Sequence, residues 1–452
     1  EISCSLVGSE MCIRDSLHTL ASQNAVIVSA SILIVAYIFI AWEKISKVTI
    51  ALLGACLTLF LGLLHTEKTP QALGEYFTNF IDFNVIFLLV SMMIIVHIAA
   101  KSGMFTWMAN EILKHTKGKP KLVLFSLAFF TAFASAFLDN VTTVILVMPI
   151  TFAACKKLDL NPVPFLITEI ICSNIGGTAT LIGDPPNIII GSAAGFSFMD
   201  FIKELTGIVF CIFLVTVGLL IFMFRKQLIS TPEKMASVTE IDNSNTITDK
   251  ILAWRSGIVL LLVILGFMAH DITHIPTFLI AMIGASVLLI FEKPAKILVE
   301  VEWNTIFFFI GLFIIIGGLE ASGGIRLMAN WLLEVTNGSQ SATSMIILWA
   351  SGILSGIIDN IPYTATMAPM LATISQAMGA EYTHPLWWCL SLGACLGGNL
   401  TIIGAAANVI VSENSAKHGH PISFMYYLKY GALTTIVALL MSTLYIYLRF
   451  LR

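Results

Sequence analysis

Apolar runs of near membrane-spanning length follow one another along almost the whole chain, separated by short polar segments. About 20 apolar residues in a helix cross the hydrocarbon of a bilayer. The pattern predicts full spans near residues 24–42, 46–64, 83–100, 165–195 and 205–224, and a second set near 256–270, 277–291, 303–320, 386–412 and 430–448. Two further apolar stretches, 122–155 and 343–375, are each interrupted near the middle by a polar pair, Asp139-Asn140 and Asp359-Asn360. A polar pair in mid-hydrocarbon is unfavourable, so each stretch predicts a re-entrant hairpin that dips in and returns, lining a cavity. The runs do not alternate polar and apolar residues, which disfavours a closed barrel.

Shifted by 220 residues, the chain matches itself. Asn84 falls on Asn304, Ser102-Gly103 on Ser322-Gly323, Met108-Ala109-Asn110 on Met328-Ala329-Asn330, Ser135 on Ser355, Asp139-Asn140 on Asp359-Asn360 and Pro149 on Pro369. With one more residue of offset, Gly176-Gly177 meets Gly397-Gly398, Thr180 meets Thr401, Gly183 meets Gly404 and Asn187 meets Asn408. Each half holds five spans and one hairpin. Five is odd, so the second copy is expected upside down relative to the first, as in many secondary transporters with a site near the midplane. The expected fold is an all-α polytopic membrane protein of two inverted-topology repeats. The first covers 24–224, with spans 24–100 followed by the hairpin and broken span at 122–195. The second covers 256–452, with 256–320 followed by 343–412. Residues 225–255 read as a flexible cytoplasmic linker. Residues 1–23 read as a non-native or disordered tail: Glu1–Ser16 is polar, fits no signal-peptide pattern and reaches its first Met at Met11.

Composition agrees: 57% of residues are hydrophobic and 11% charged, against about 25% charged in soluble domains. With Glu43–Lys47 placed on the cytoplasmic side, eighteen of the 24 Lys and Arg fall inside, as the positive-inside rule requires. Both ends of the 122–155 stretch then lie on one side, as a hairpin demands. No basic stripe points to nucleic acid. The eight Cys are scattered without C-x-x-C spacing and read as reduced. A phosphate-binding loop of ATP-driven pumps, H-E-x-x-H and G-x-S-x-G are all lacking, so an ATPase, protease or lipase has no support, and the chain is not read as an enzyme.

The candidate chemistry lies at two places. Ser173–Asn187 reads SNIGGTATLIGDPPN inside a span. Its glycines and Pro185-Pro186 must break the helix, leaving backbone groups and helix ends at mid-depth, where they can hold ions. Asp184 puts a carboxylate at that break. The partner segment Ala394–Asn408 keeps the Gly and Asn positions but has Ala405-Ala406-Ala407 in place of Asp184-Pro185-Pro186. The hairpin tips are the second place: Asp139-Asn140 with Thr142-Thr143, and Asp359-Asn360 with Thr364. Asp and Asn also favour caps and turns, which accounts for part of their presence there. The candidate solute and ion ligands are Asp139, Asn140, Thr143, Ser173, Asn174, Thr178, Thr180, Gly183, Asp184, Asn187, Asp359, Asn360, Thr364, Asn399, Thr401 and Asn408. Asn140, Asp184 and Asn360 are candidate Na⁺ ligands; Asp184 and Glu169 are candidate proton sites. A carboxylate inside an apolar run, such as Glu169, costs roughly 2.5–3.5 kcal/mol unless paired, protonated or wet; a helix-end position facing water is the alternative. His97 and Glu320 sit near the ends of their spans and read as interface residues. The broken spans and tips contain no Lys or Arg, so the pocket suits a proton, Na⁺ or a neutral polyhydroxyl solute.

FLDNVTTVILVMP (137–149), TEIICSNIGGTATLIGDPPN (168–187), IDNIPYTATMAP (358–369) and GACLGGNLTIIGAAANVI (393–410) resemble the arsenite-permease/NhaD-type transporters of the ion-transporter superfamily. The resemblance is nearest to the P-protein-like branch and more distant to the divalent anion–sodium symporters. It implies an elevator mechanism, a homodimer formed by the first spans of each half, and a mobile group carrying hairpins and broken spans. In the symporter relatives the tip carries Ser-Asn-Thr; here Asp139-Asn140-Val141 and Asp359-Asn360-Ile361 stand there. A carboxylate at the tip disfavours a di- or tricarboxylate. The resemblance and the residues together point to a secondary transporter in a bacterial-type inner membrane. It would exchange a small inorganic ion or neutral oxyacid, such as arsenite or antimonite, against H⁺ or Na⁺. Na⁺/H⁺ antiport and a gated anion channel are the alternatives. No cofactor is expected beyond a bound coupling ion. Cys172 and Cys395 near the breaks favour As(III) loosely, and a soluble ATPase partner on the Arg225–Arg255 loop stays open.

Overall fold

Short polar side chains start the helices where the apolar runs begin. Asp82 accepts from the backbone N of Asn84 and Val85 and caps Phe83–Lys101. Asp139 caps Asn140–Leu158, Asp249 caps Lys250–Met268, Ser339 caps Gln340–Ile358 and Ser423 caps Phe424–Ile446. Each accepts a donor that the first helical turn would otherwise leave unpaired. The structure, a computed structural model, describes residues 24–42, 44–65, 78–239, 243 and 246–452. The expected tail at 1–23 lies outside these residues. Among the described residues every regular element is helical.

Among the described residues eight helices are long and apolar enough to cross a membrane, Asn24–Trp42 and Phe424–Leu451 being the outermost in sequence. Two of the eight, Asn140–Leu158 and Gln340–Ile358, are hairpin arms. Length and apolarity therefore do not separate arms from spans. Large apolar side chains face outward over the surface, among them Leu53, Phe60, Phe210, Phe222, Leu261, Leu262, Ile290 and Leu444. A soluble monomer does not tolerate so much apolar exposure. The chain is a multi-pass membrane protein.

The backbone repeats itself at the spacing seen in the sequence. Gly103 (φ 84°) and Gly323 (φ 87°) both turn the chain in the left-handed region at the end of the third span. Lys117-Gly118 and Asn337-Gly338 repeat a left-handed pair (φ 52° and 67°, then 50° and 66°). Between these turns lie two amphipathic helices, Met104–His115 and Gly324–Val335, which bury Phe105, Ala109 and Leu113, and Ile325, Ala329 and Leu332. The apolar-run pattern did not reveal them, because each is only 12 residues long and its buried stripe is broken by charged and polar positions, Glu111 and Lys114 in one and Arg326 and Glu334 in the other.

The helices sort into two packed groups. In the first, Phe83–Lys101 packs on Thr277–Phe291 and Trp303–Ala321 on Lys47–His65, so the third span of each half lies against the second of the other. Small residues permit the crossings: a Cβ on Gly311 would come within 2.7 Å of the Ala51 backbone, and one on Gly54 within 2.6 Å of Ile315. The second group holds both hairpins, both broken spans and the last span of each half. Pro120–Ser135 packs on Val163–Thr178, Gln340–Ile358 on Ala380–Gly397, and Gly207–Phe224 on Phe424–Ile446.

The linker differs from the flexible loop expected of it. Pro232–Thr239 is helical and packs on Asn140–Leu158 and Met104–His115. Lys234 Nζ lies 2.5 Å from Asp159 Oδ2 and holds that exposed carboxyl below the usual carboxylate range, through its hydrogen bond and charge. Asn243, buried, donates to Trp107 O at 3.0 Å and Glu111 Oε2 at 3.1 Å, and accepts from Asn110 at 3.3 Å. Its amide supplies the partners that its polar neighbours conceal in the sequence. Asn243→Ala is expected to lower stability by about 1–2 kcal/mol and to speed proteolysis within 232–255; cleavage at the wild-type rate would show that the docking contributes nothing.

Candidate functional site

The site begins at the two helix breaks. Val163–Thr178 ends where Gly176 and Gly177 meet neighbouring backbone, and the helix resumes at Pro185, preorganised for a first helical position. Ala380–Gly397 breaks likewise and resumes at Ala406. The predicted interruptions thus lie at 179–184 and 398–405. The glycines are required by close approach. A Cβ on Gly176 would lie 2.1 Å from Ala132 O, one on Gly397 2.6 Å from Gly352 O, and one on Gly183 2.6 Å from Ser135 O.

Matched side chains tie each break to its hairpin. Thr180 Oγ1 donates to Ala136 O, and Thr401 Oγ1 donates to Gly356 O at 2.6 Å. Gly183 N in turn donates to Thr180 Oγ1 at 3.2 Å. Asn187 Nδ2 reaches Gly177 O, Thr178 O and Thr180 O at 2.9–3.4 Å. Asn408 Nδ2 reaches Gly398 O at 2.7 Å and Thr401 O at 2.9 Å. These amides satisfy carbonyls that the broken helices leave open. Asn187 and Asn408, expected as ligands from the sequence, are seen to brace the two breaks.

At the centre the halves meet through carboxamides. Asn174 Nδ2 donates to Asn399 Oδ1 at 2.8 Å and Asn408 Oδ1 at 3.0 Å, and Asn399 Nδ2 donates to Ile171 O at 3.2 Å. The first tip joins through Asn140 Nδ2, 3.2 Å from Asn174 Oδ1, while Ser135 Oγ donates to Asn140 Oδ1. The second tip joins through Asn360 Nδ2, which lies 3.2 and 3.4 Å from the two oxygens of Asp184. Asp184 is buried, caps Pro185–Ala194 without a side-chain bond of its own to that helix, and has Asn140 and Cys395 alongside. Among the described residues no Lys, Arg or His forms an ion pair with it. Asn140, Asp184 and Asn360 are thus together, an oxygen-rich set of the kind hard cations take.

Other predicted residues are placed differently. Ser173 donates to Ile170 O at 2.9 Å and Thr178 to Asn174 O at 2.7 Å, so both hydroxyls stay on their own helix. Thr143 and Thr364 are buried with hydroxyls that find no partner among the described residues. Buried polar atoms are nearly always paired, so these two offer ligand atoms. Glu169 lies apart from the tips: Thr151 Oγ1 donates to its Oε1, and Oε2 is buried without a partner among the described residues. Asp139 is half-buried and mainly caps its helix, accepting from Thr142 N at 2.8 Å and Thr142 Oγ1 at 2.5 Å.

The sequence pattern missed several participants. Lys47 Nζ lies 2.6 Å from Asp359 Oδ2, bringing a base to a tip that was read as having none. Its signal was a Lys opening a span, which reads as an ordinary interface residue. Tyr37 Oη donates to Pro362 O at 2.6 Å. Ser391 Oγ (2.6 Å) and Cys395 Sγ (3.5 Å) donate to Asn187 Oδ1, which gives Cys395 a structural partner.

The family described as Citrate transporter (CitMHS) matches residues 37–393. A 46 kDa membrane protein of Mycobacterium leprae is 40% identical, covering 94% of this chain and 99% of that protein. The P protein of Homo sapiens is 30% identical over 90% of this chain and 58% of its own length. The crystal structure of the YdaH transporter of Alcanivorax borkumensis, which has an unusual topology, aligns with TM-score 0.54 at 12% identity, covering 91% of this chain and 97% of that one. That last likeness is one of fold alone. With the eight apolar helices and the buried polar centre already described, the match over most of the chain places this protein in the citrate-transporter (CitMHS) family of membrane transporters, within the ion-transporter superfamily.

Proposed function

We propose that the protein is a secondary active transporter moving a small inorganic ion or neutral oxyacid, of the arsenite or antimonite kind, in exchange for H⁺ or Na⁺. The observation that carries this reading is Asp184: a buried carboxylate at a helix break, held by Asn360 of the opposite half. A carboxylate so placed favours a proton or small cation beside it. The surrounding carboxamides and the unpartnered hydroxyls of Thr143 and Thr364 suit a neutral polyhydroxyl solute. The family's name raises citrate. A polyanion facing Asp184, Asp359 and Asp139, with Lys47 the one base paired to a tip among the described residues, would need co-bound cations.

The two packed groups are read as scaffold and moving element of an elevator, and the halves as inverted repeats. The exchanged span pairings and the backbone turns recurring 220 residues apart support this. Both tips lie beside first-group residues that the positive-inside rule places toward the cytoplasm: Asp359 beside Lys47, and Asp139 near enough to Glu302 for the carboxylates to interact. That arrangement suits a moving element lowered inward. The homodimer and the bacterial-type inner membrane rest on the family resemblance.

Na⁺/H⁺ antiport is the second reading, favoured by the clustering of Asn140, Asp184 and Asn360. Reconstitution into liposomes with an imposed pH or Na⁺ gradient separates the readings, with arsenite, antimonite, Na⁺, Li⁺ and citrate as test solutes. Saturable, gradient-driven arsenite or antimonite flux with counterflow is expected. Flux of Na⁺ alone would establish antiport, citrate flux would overturn the solute assignment, and non-saturating flux without counterflow would indicate the gated anion channel. In the same assay Glu169→Gln is expected to flatten the pH dependence of flux while Na⁺ dependence persists. An unchanged pH profile would return Glu169 to a packing role with Thr151.

A further inference from the structure

The two tips carry the same Asp-Asn pair yet meet opposite charges. Asp359 is buried, with a side-chain exposure of 3%, and its Oδ2 lies 2.6 Å from Lys47 Nζ on a different packed group. Its backbone is held at φ 111°, a conformation L side chains rarely adopt, and its Oδ1 accepts from Ile361 N at 3.2 Å. Among the described residues no base pairs with Asp139: it caps its own helix and has the Glu302 carboxylate nearby. The second-span helix of the other half opens on Thr277, where the first opens on Lys47. Next to Asp359, Asn360 holds Asp184, so the Lys47 pair adjoins the central carboxylate.

We infer that Lys47 is a tethered counter-ion, a positioning residue whose ammonium takes the cation place at the second tip. While the pair is made, that tip accepts no cation from solution, and cation binding is left to Asp184 and the first tip. The geometry also makes the pair state-dependent. Lys47 belongs to the group read as scaffold and Asp359 to the one read as mobile, so movement of the tip parts the two. This second statement rests on the transporter reading above; the counter-ion role does not. A buried ion pair that loses one member leaves an uncompensated charge, which a small cation or proton then has to neutralise.

The test is the melting temperature of the full-length, detergent-solubilised protein in NaCl, LiCl and choline chloride at equal ionic strength, repeated across pH. Lys47→Met is expected to gain a stabilisation by Na⁺, Li⁺ or H⁺ that the wild type lacks, a further rise of about 5 °C on saturation. Lys47→Arg should behave as the wild type, and Lys47→Met with Asp359→Asn should lose the added cation response. If Lys47→Met folds only in the presence of Na⁺ or at low pH, that is the same result in stronger form. A Lys47→Met protein whose melting responds to cations and pH as the wild type does would overturn the inference. So would an added response that survives Asp359→Asn. Because the readout requires no transport, failure here leaves the Asp184 coupling reading standing, and a failed flux assay leaves this one standing.

Discussion

Asp184→Asn is expected to abolish the coupling of solute movement to the cation gradient while the protein still folds. The substitution is isosteric, and Asn360 can still donate to the remaining carbonyl oxygen. What disappears is the one charge at the first break, buried among Asn140, Asn360 and Cys395. A hydrogen bond to a charged group contributes roughly 1.5–3 kcal/mol more than none, so cation affinity should fall about 10- to 100-fold. Net flux driven by a pH or Na⁺ gradient should then fall by about two orders of magnitude. Stability should hold or rise, because a buried charge with no ion-pair partner among the described residues costs folding free energy that the neutral amide avoids. The measurement is gradient-driven uptake in proteoliposomes, with the elution profile in detergent as the folding control. Full proton- or Na⁺-coupled flux in the Asp184→Asn protein would end the assignment of Asp184 as the coupling residue. The second half has Ala405 at the matching place, so the second break carries no equivalent carboxylate.

Gly176→Ala acts on the fold rather than the chemistry. An added Cβ would lie 2.1 Å from Ala132 O and 2.6 Å from Ala132 C and Cα. All three are backbone atoms of the first hairpin arm, which no rotamer change can move. Relief would require Val163–Thr178 to separate from Pro120–Ser135, loosening Thr180 from Ala136 and disturbing Asn140 and Asn174. Overpacking of this kind costs about 1–3 kcal/mol and more where backbone is struck. The expected result is a large loss of folded protein on size exclusion and a lower melting temperature. Gly218→Ala is the control: its Cβ meets nothing within 4 Å, and the helix gains from the change. Equal behaviour of the two variants would mean that the break does not depend on close approach to the hairpin.

The run of apolar helices, the polar turn of each hairpin and the two breaks were legible because each rests on local rules, whereas ten spans were expected and eight helices among the described residues, two of them hairpin arms, reach spanning length. Gly176-Gly177, Gly183 and Pro185-Pro186 cannot continue a helix wherever they sit, and an Asp-Asn pair amid apolar residues marks a turn. The internal match at 220 residues pointed to the same positions. The amphipathic connectors, by contrast, hide among Lys and Glu, and the docked linker depends on Asn243 meeting Trp107 O and Glu111, more than 130 residues away in sequence. Nor does composition say which Asn residues brace a break: only the folded chain shows Asn187 and Asn408 holding broken-helix carbonyls.

By itself, then, the sequence determined the class of molecule, where its helices break and which residue types gather there. Those follow from hydrophobic periodicity and backbone chemistry, which act over a few neighbouring residues. Only the tertiary structure decided the partners: Asn360 on Asp184, Asn174 on Asn399 and Asn408, and Lys47 on Asp359. Charge compensation in a low-dielectric interior depends on distance through space, and the 312 residues between Lys47 and Asp359 carry no trace of the 2.6 Å that separates their side chains.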